Sequence, residues 1–167
     1  MKVRKKHLVI FLCLCPLFLW FGQAITFSKS FSGYCEKVLD GDTLIVRGEK
    51  IRLIYIDAPE KDQLSFDGKP IGRSSTQYLK NLIEKKWVEV RYRKRGYYGR
   101  ILGEVFYLKE NLNLKLLQEG HAVLYAKKAP VAYTSAYYLA RLTRKAIFGT
   151  QGFLHPKIYR KKKGHQK

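Results

Sequence analysis

Short runs of apolar residues, several of them alternating with polar ones, predict five β-strands. Residues 34–39 and 43–47 flank an Asp-Gly-Asp turn, and residues 51–57 form a third run that is rich in Ile and Tyr. Residues 87–93 alternate strictly between apolar and polar positions, which is typical of a half-buried strand. Residues 100–107 supply the fifth run.

Apolar residues at helical spacing predict about three helices. They lie within residues 74–85, 111–119 and 136–147. Five short strands with one helix inserted after the third suit a Greek-key barrel of the OB type. The sequence therefore predicts a mainly β protein with helices, of the α+β class, built on such a barrel.

The N-terminus has the three-part layout of an export signal. Residues 1–7 are basic, residues 8–21 are unbroken apolar, and Gly22-Gln23-Ala24 places small residues where a signal peptidase reads. The apolar run is shorter than the roughly 20 residues that a spanning helix needs. We expect a signal peptide over residues 1–24 and a secreted or periplasmic protein. An uncleaved N-terminal anchor, which would hold the protein at a membrane, is the alternative.

The remaining chain is expected to form one domain over residues 34–154, preceded by a lead-in at 25–33. Residues 155–167 form a basic tail, and its part from 157 onward predicts a disordered segment because it combines many cations with few apolar residues. Only Cys35 would remain after removal of the signal, so no internal disulfide is expected.

The charge indicates a polyanionic partner. The chain has 33 Lys and Arg against 13 Asp and Glu, a formal charge of +20, and residues 1–24 contain no acid. Neutralising phosphates releases condensed counterions, so nucleic acid is the first partner to consider. An anionic membrane or cell-wall surface is the second.

Two acidic motifs stand out in this basic chain. They are Asp-Gly-Asp-Thr at 40–43 and Arg-Leu-Ile-Tyr-Ile-Asp-Ala-Pro-Glu at 52–60. Clustered carboxylates suit Ca²⁺ or Mg²⁺, whereas no Cys/His set has the spacing of a zinc site. Alone, each motif also fits a turn or a strand end. Together, in an exported basic chain, they favour an active site.

These motifs resemble those of the staphylococcal nuclease (thermonuclease) family. Two further landmarks support the resemblance, Tyr-Gly-Arg at 98–100 and Asn113-x-x-Leu116-x-x-x-Gly120-x-Ala122, so that it runs from about residue 34 to 153. By this resemblance Asp42, Asp57 and the backbone carbonyl of Ala58 bind Ca²⁺, and Asp40 and Thr43 support them. Glu60 orients or deprotonates the attacking water, and Arg52 and Arg100 bind the scissile phosphate.

The resemblance also implies how nucleic acid is bound. Tyr98 corresponds to an aromatic residue near the bound nucleotide, and further basic residues are expected to bind nucleic acid: Arg93, Lys94, Arg95, Lys127 and Lys128. Strict strand alternation would put Arg52 and Asp57 on opposite faces, since they are an odd number of residues apart. From the resemblance we therefore expect the third strand to bend near its end.

The resulting hypothesis is a secreted, calcium-dependent endonuclease that hydrolyses DNA and RNA with little sequence preference and leaves 3′-phosphate ends. No protein partner is implied, and a monomer is expected. A non-catalytic OB-type module that binds nucleic acid, for uptake or at a surface, is the alternative. The presence of Arg52, Glu60 and Arg100 favours the enzyme. A basic adhesion protein would explain the charge but not the acids.

Overall fold

A computed structural model describes residues 29–125 and 128–164, with the side chain of Tyr97 left out. The predicted signal peptide at 1–24 and Lys127 lie outside the described residues. The strands are, in chain order, β1 (Lys29–Asp40), β2 (Thr43–Val46), β3 (Glu49–Leu53), β4 (Ile56–Asp57), β5 (Trp87–Arg95), β6 (Ile101–Tyr107), β7 (Glu110–Asn111) and β8 (Val123–Leu124). The helices are α1 (Ile71–Ile83), α2 (Leu112–Gln118), α3 (Val131–Leu142) and α4 (Pro156–Gly164).

Five of the strands close into a barrel. They follow the order β3-β2-β1-β5-β6 with antiparallel neighbours, and β3 then pairs in parallel with β6, where Ile51 lies opposite Ile101. The short strands β4 and β8 form a separate antiparallel pair outside this ring. The predicted OB-type α+β fold is confirmed.

Alternating strand residues fill the barrel, and helices cover it. Buried side chains from all five barrel strands meet in one core, among them Val38, Leu44, Ile51, Val90 and Ile101. Helices α1 and α2 add Leu79, Ile83, Leu112, Leu116 and Leu117. Burial is also the main reason why the pKa of the Cys35 thiol rises to about 11. The thiol therefore stays protonated, and this cysteine acts as a small core residue.

Several predicted boundaries differ from the structure, among them that of the first helix, which was predicted at 74–85 and spans Ile71–Ile83. Residues 29–33, predicted as a lead-in, belong to β1 and pair with β5, where Lys29 lies opposite Tyr92. The third helix was predicted at 136–147 but spans Val131–Leu142, followed by a single 3₁₀ turn at Ala146–Gly149. Pro130 precedes its first turn, and Arg144 at φ 53° is incompatible with its continuation.

The C-terminal segment is the largest departure from the predicted elements. The prediction of disorder from residue 157 onward is wrong as far as residue 164, because Pro156–Gly164 forms helix α4. The described residues thus contain four α-helices where about three were predicted. Among the same residues, no helix is long and apolar enough to span a membrane.

Asn113 fastens α2 to the barrel at the point where the chain leaves β3. Its side chain is fully buried, and its amide donates to the carbonyls of Ile54 and Gly103, both at 3.0 Å. Its carbonyl oxygen accepts from the amide of Val105 at 3.1 Å. One side chain therefore satisfies three backbone groups beside the bend in the third strand.

Replacing Asn113 with alanine should lower the free energy of unfolding by about 2–4 kcal/mol, because each buried group left without a partner costs about 1–3 kcal/mol. Urea denaturation of the wild type and the variant measures the change. Asn81→Ala is the control, since the Asn81 side chain is exposed and accepts from the exposed side chain of Gln77, and it should shift stability by less than about 0.5 kcal/mol. Equal shifts in the two variants would contradict the role given to Asn113.

Candidate active site

The bend expected in the third strand is present and brings Arg52 and Asp57 together. β3 ends at Leu53, β4 begins at Ile56, and Tyr55 between them has φ 70°, in the left-handed region. This turn reverses the alternation, so that both side chains serve one face. Nη2 of Arg52 donates to Oδ1 of Asp57 at 2.9 Å.

The guanidinium of Arg52 is held in place by four acceptors. Besides Asp57, its Nη1 donates to the carbonyls of Leu53 at 3.2 Å and Ile56 at 3.1 Å. The same atom lies 2.8 Å from Oδ2 of Asp42. A guanidinium has five N–H donors, so this network orients the side chain and still leaves donors for a further anion.

The other carboxylate, that of Asp42, lies in the turn between β1 and β2. The amide of Asp42 donates to Oδ1 of Asp40 at 3.0 Å, which folds the turn locally. Oδ2 of Asp42 accepts from the amide of Ala58 at 2.7 Å, and Oδ1 accepts from the Thr43 hydroxyl at 3.1 Å. Asp40 and Thr43, the two predicted supporting residues, thus both bond to Asp42.

Burial is the main cause of a strongly raised pKa at Asp42. Its pKa rises to about 7, with Asp40 and Asp57 adding to the effect and Arg52 opposing it. Asp57 is completely buried beside it. Two buried carboxylates this close require cations nearby.

Two glycines allow the acidic segments to pack closely. A Cβ added at Gly41 would lie 2.6 Å from Cβ of Ala58, so the Asp-Gly-Asp turn needs glycine for its close approach to the second motif. A Cβ added at Gly72, in the first turn of α1, would overlap the carbonyl oxygen of Glu60. These contacts fix the positions of the backbone that carries Asp42, Ala58 and Glu60.

Glu60 lies just beyond β4 with a partly exposed side chain. Its amide donates to Oε1 of Gln63 at 3.2 Å, and its carbonyl accepts from the amide of Gln63 at 2.7 Å. Gln63 is fully buried, so the loop after Pro59 is anchored rather than free. The carboxylate of Glu60 is 37% exposed and lines the same cavity as Arg52 and Asp42.

Arg100, the second arginine predicted to bind phosphate, lines the same cavity. This cavity, of about 570 Å³, is lined by Asp40, Asp42, Thr43, Arg52, Glu60 and Arg100 among others. Nε of Arg100 is buried and has no hydrogen-bond partner in the described part of the chain. A buried, unpaired cationic donor at a cavity wall favours an anionic ligand.

The donor set fits a hard divalent cation. Asp42 and Asp57 both contact one guanidinium, so their oxygens lie close together, and the Ala58 peptide adjoins Asp42. Within residues 29–125 and 128–164, no three His, Cys, Asp or Glu side chains form a complete metal cage. Mg²⁺ and Ca²⁺ accept such a set, because waters and substrate oxygens fill their remaining positions.

The predicted nucleic-acid-binding residues are only partly gathered at the site. Tyr98 is 90% exposed next to Arg100, and Arg93, Lys94, Arg95 and Lys128 are exposed. Arg95 forms a two-point ion pair with Glu49 at 2.6 Å and 2.8 Å. Of these residues, Lys94 and Arg95 line a shallow depression that shares Gly96 and Leu102 with the main cavity.

Sequence reasoning missed two residues that line the cavity, Tyr125 and Arg160. The ring of Tyr125 is 57% exposed, and its amide donates to the Tyr55 carbonyl at 2.9 Å. Arg160 reaches the cavity from α4. Pro at the first position of a helix, as at Pro156, was the available signal for α4.

Comparison with known proteins identifies the family of this chain. The model of the family described as Staphylococcal nuclease homologue matches residues 50–149. A protein of Escherichia coli named as an uncharacterized endonuclease is 38% identical over 116 residues, which cover 66% of this chain and 71% of that protein. A thermonuclease of Staphylococcus intermedius is 31% identical over 108 residues, 61% of this chain and 64% of its own. The chain therefore belongs to the family of staphylococcal nuclease homologues.

Proposed function

We propose that this protein is a secreted endonuclease that hydrolyses DNA and RNA with a bound divalent metal ion, Ca²⁺ in the first place. The observation that carries the proposal is the convergence of Asp42, Arg52, Glu60 and Arg100 on one cavity, with the buried Asp57 bonded to Arg52 directly beneath it. The named endonucleases and thermonucleases among the relatives point the same way. Secretion rests on the signal-peptide pattern of residues 1–24.

Each group has one task in this chemistry. Asp42, Asp57 and the Ala58 carbonyl would hold the metal ion, which lowers the pKa of water and shields phosphate charge. The carboxylate of Glu60 takes the proton of the attacking water. The guanidiniums of Arg52 and Arg100 bind the phosphate and stabilise the negative charge that builds on it. The attack breaks the bond between phosphorus and the 5′-oxygen, which takes up a proton from water and leaves as a 5′-hydroxyl, so that the phosphate stays on the 3′-oxygen.

The alternative of a non-catalytic binding module accounts for the fold and the charge. It gives no task to the partly exposed carboxylate of Glu60, which lines the same cavity as Arg52 and Arg100 and would repel phosphates bound there. The position of Glu60 therefore favours hydrolysis over binding alone.

Removal of the metal ion should abolish the activity. We expect the purified protein to degrade single-stranded DNA and RNA in Ca²⁺ and to stop when excess EDTA is added, with recovery when Ca²⁺ again exceeds EDTA. EDTA already saturated with Ca²⁺ is the control. Hydrolysis that continues in EDTA would exclude the metal-dependent reaction, and products with 5′-phosphate ends would exclude the proposed direction of cleavage.

A further inference from the structure

Helix α4 places one arginine directly on the acids of the candidate site. Nη1 and Nη2 of Arg160 donate to Oδ1 and Oδ2 of Asp57 at 3.1 Å and 2.8 Å. Nη1 also donates to Oε1 of Glu60 at 2.8 Å. The Arg160 side chain thus contacts a proposed metal ligand and the proposed base at the same time.

A second set of contacts holds the segment before and within α4 to the loop that carries Glu60. Lys163 forms an ion pair with Asp62 one turn beyond Arg160. Nε2 of Gln63 donates to the carbonyl of Leu154 at 2.6 Å, and the amide of Phe66 donates to the carbonyl of Gly152 at 2.8 Å. Hydrogen bonds to the backbone just before α4, as well as ion pairs from its side chains, therefore hold the helix against this loop.

Arg160 and a metal ion need the same oxygen atoms. Arg52 and Arg160 together engage both oxygens of Asp57, which is completely buried. A divalent ion bound there would add two positive charges within a few ångströms of the Arg160 guanidinium, and like charges repel strongly where water is excluded. Arg160 and a metal ion therefore compete for Asp57.

We propose that α4 is a reversible latch on the active site, closed by Arg160 and Lys163 and opened when a metal ion and nucleic acid bind. The inference rests on the proposed function, because it assigns a regulation to that same site. Opening by the metal ion follows from competition for Asp57. Opening by nucleic acid follows from the composition of the helix, which carries five cations and no acid: Lys157, Arg160, Lys161, Lys162 and Lys163. A polyanion binds these cations with release of counterions and so draws the helix away from its acids.

The latch makes metal binding weaker than the site alone would allow. The apparent dissociation constant of a ligand equals its intrinsic value divided by the fraction of protein in the binding-competent state. If α4 is closed in about nine molecules of ten, its removal from the site tightens metal binding about tenfold. This gain is a property of binding and can be measured without any turnover.

Isothermal titration of the full chain with Ca²⁺ tests this first. Arg160→Ala should bind Ca²⁺ about tenfold more tightly than the wild type. Lys163→Ala should shift affinity in the same direction but less, since Lys163 contacts Asp62 and not a proposed ligand. Lys162→Ala is the matched control and should leave the Ca²⁺ affinity near that of the wild type: it removes a charge from the same helix, and the Lys162 side chain has no ion pair or hydrogen bond in the described part of the chain. Unchanged or weaker binding by Arg160→Ala overturns the latch.

Hydrogen exchange of the wild-type backbone gives a second test that needs no variant. Amides of residues 156–164 should exchange faster when Ca²⁺ alone is added, and faster again with a single-stranded oligonucleotide. Hydrolysis of nucleic acid without this change would overturn the latch and leave the proposed function standing. Faster exchange together with tighter Ca²⁺ binding by Arg160→Ala, in a protein that hydrolyses nothing, would support the latch and refute the proposed function.

Discussion

Replacing Glu60 with glutamine is expected to lower kcat on single-stranded DNA by about 10²- to 10⁴-fold, the usual contribution of a positioned general base. Glutamine keeps the size of the side chain, and the backbone of residue 60 keeps its place in the loop through its bonds to Gln63. The amide oxygen of glutamine can still accept from Arg160, although without the charge. What is lost is the ability to accept the proton of water, together with the charge of the ion pair with Arg160. Metal binding should not weaken, since Glu60 is not among the proposed ligands.

The measurement is initial rates at saturating Ca²⁺, together with the calcium affinity of the same preparation. Glu110→Gln provides the control, because Glu110 is also a partly exposed acid in an ion pair, with Lys115, but lies outside the cavity. It should leave kcat within a factor of about two, as surface ion pairs contribute little. If Glu60→Gln turned over as fast as Glu110→Gln, Glu60 could not be the base.

The bend at Ile54 and Tyr55 shows how far sequence reasoning carries and where it stops. Strict strand alternation would place Arg52 and Asp57 on opposite faces of the sheet. Only the resemblance to a known family led us to expect the bend. The structure supplies its physical means: Tyr55 takes a left-handed conformation, and Asn113 satisfies the carbonyl of Ile54. Neither feature has a local signature, because a buried Asn 59 residues away makes the contact that stabilises the turn.

The C-terminal helix was missed for a different reason. A run of lysines and an arginine has no apolar period, so its pattern predicts disorder. The structure gives these cations specific partners, Asp57, Glu60 and Asp62, which are about 100 residues earlier in the chain. Ion pairs between residues so far apart in the chain cannot be inferred from composition. For the same reason, Arg160 was not predicted as a residue of the site.

The two arginines predicted to bind phosphate have different surroundings, which suggests different uses of their charge. Arg52 is engaged by Asp42, Asp57 and two backbone carbonyls, so part of its charge neutralises the buried acids. Arg100 has a buried Nε without a partner among the described residues. A donor that is buried and unpaired before substrate arrives has no bond to lose when it binds the charge of the transition state.

Replacing Arg100 with lysine should therefore lower kcat by about 10²- to 10³-fold, although the charge is retained, because loss of one such donor typically costs this much. Lysine offers a single ammonium in place of the planar fork that binds two phosphate oxygens at once. If Arg100 acts in the transition state, kcat and kcat/KM should fall together while KM stays nearly constant.

Steady-state rates over a range of DNA concentrations separate these cases. Arg91→Lys is the matched control, since Arg91 is an exposed residue on β5 paired with Glu89 and does not line the cavity. It should change neither parameter by more than about twofold, as expected for an exposed ion pair. A rise in KM at constant kcat in Arg100→Lys would show that Arg100 binds the phosphate equally in the ground state, and the unpaired Nε would then be a recognition group and not a catalytic one.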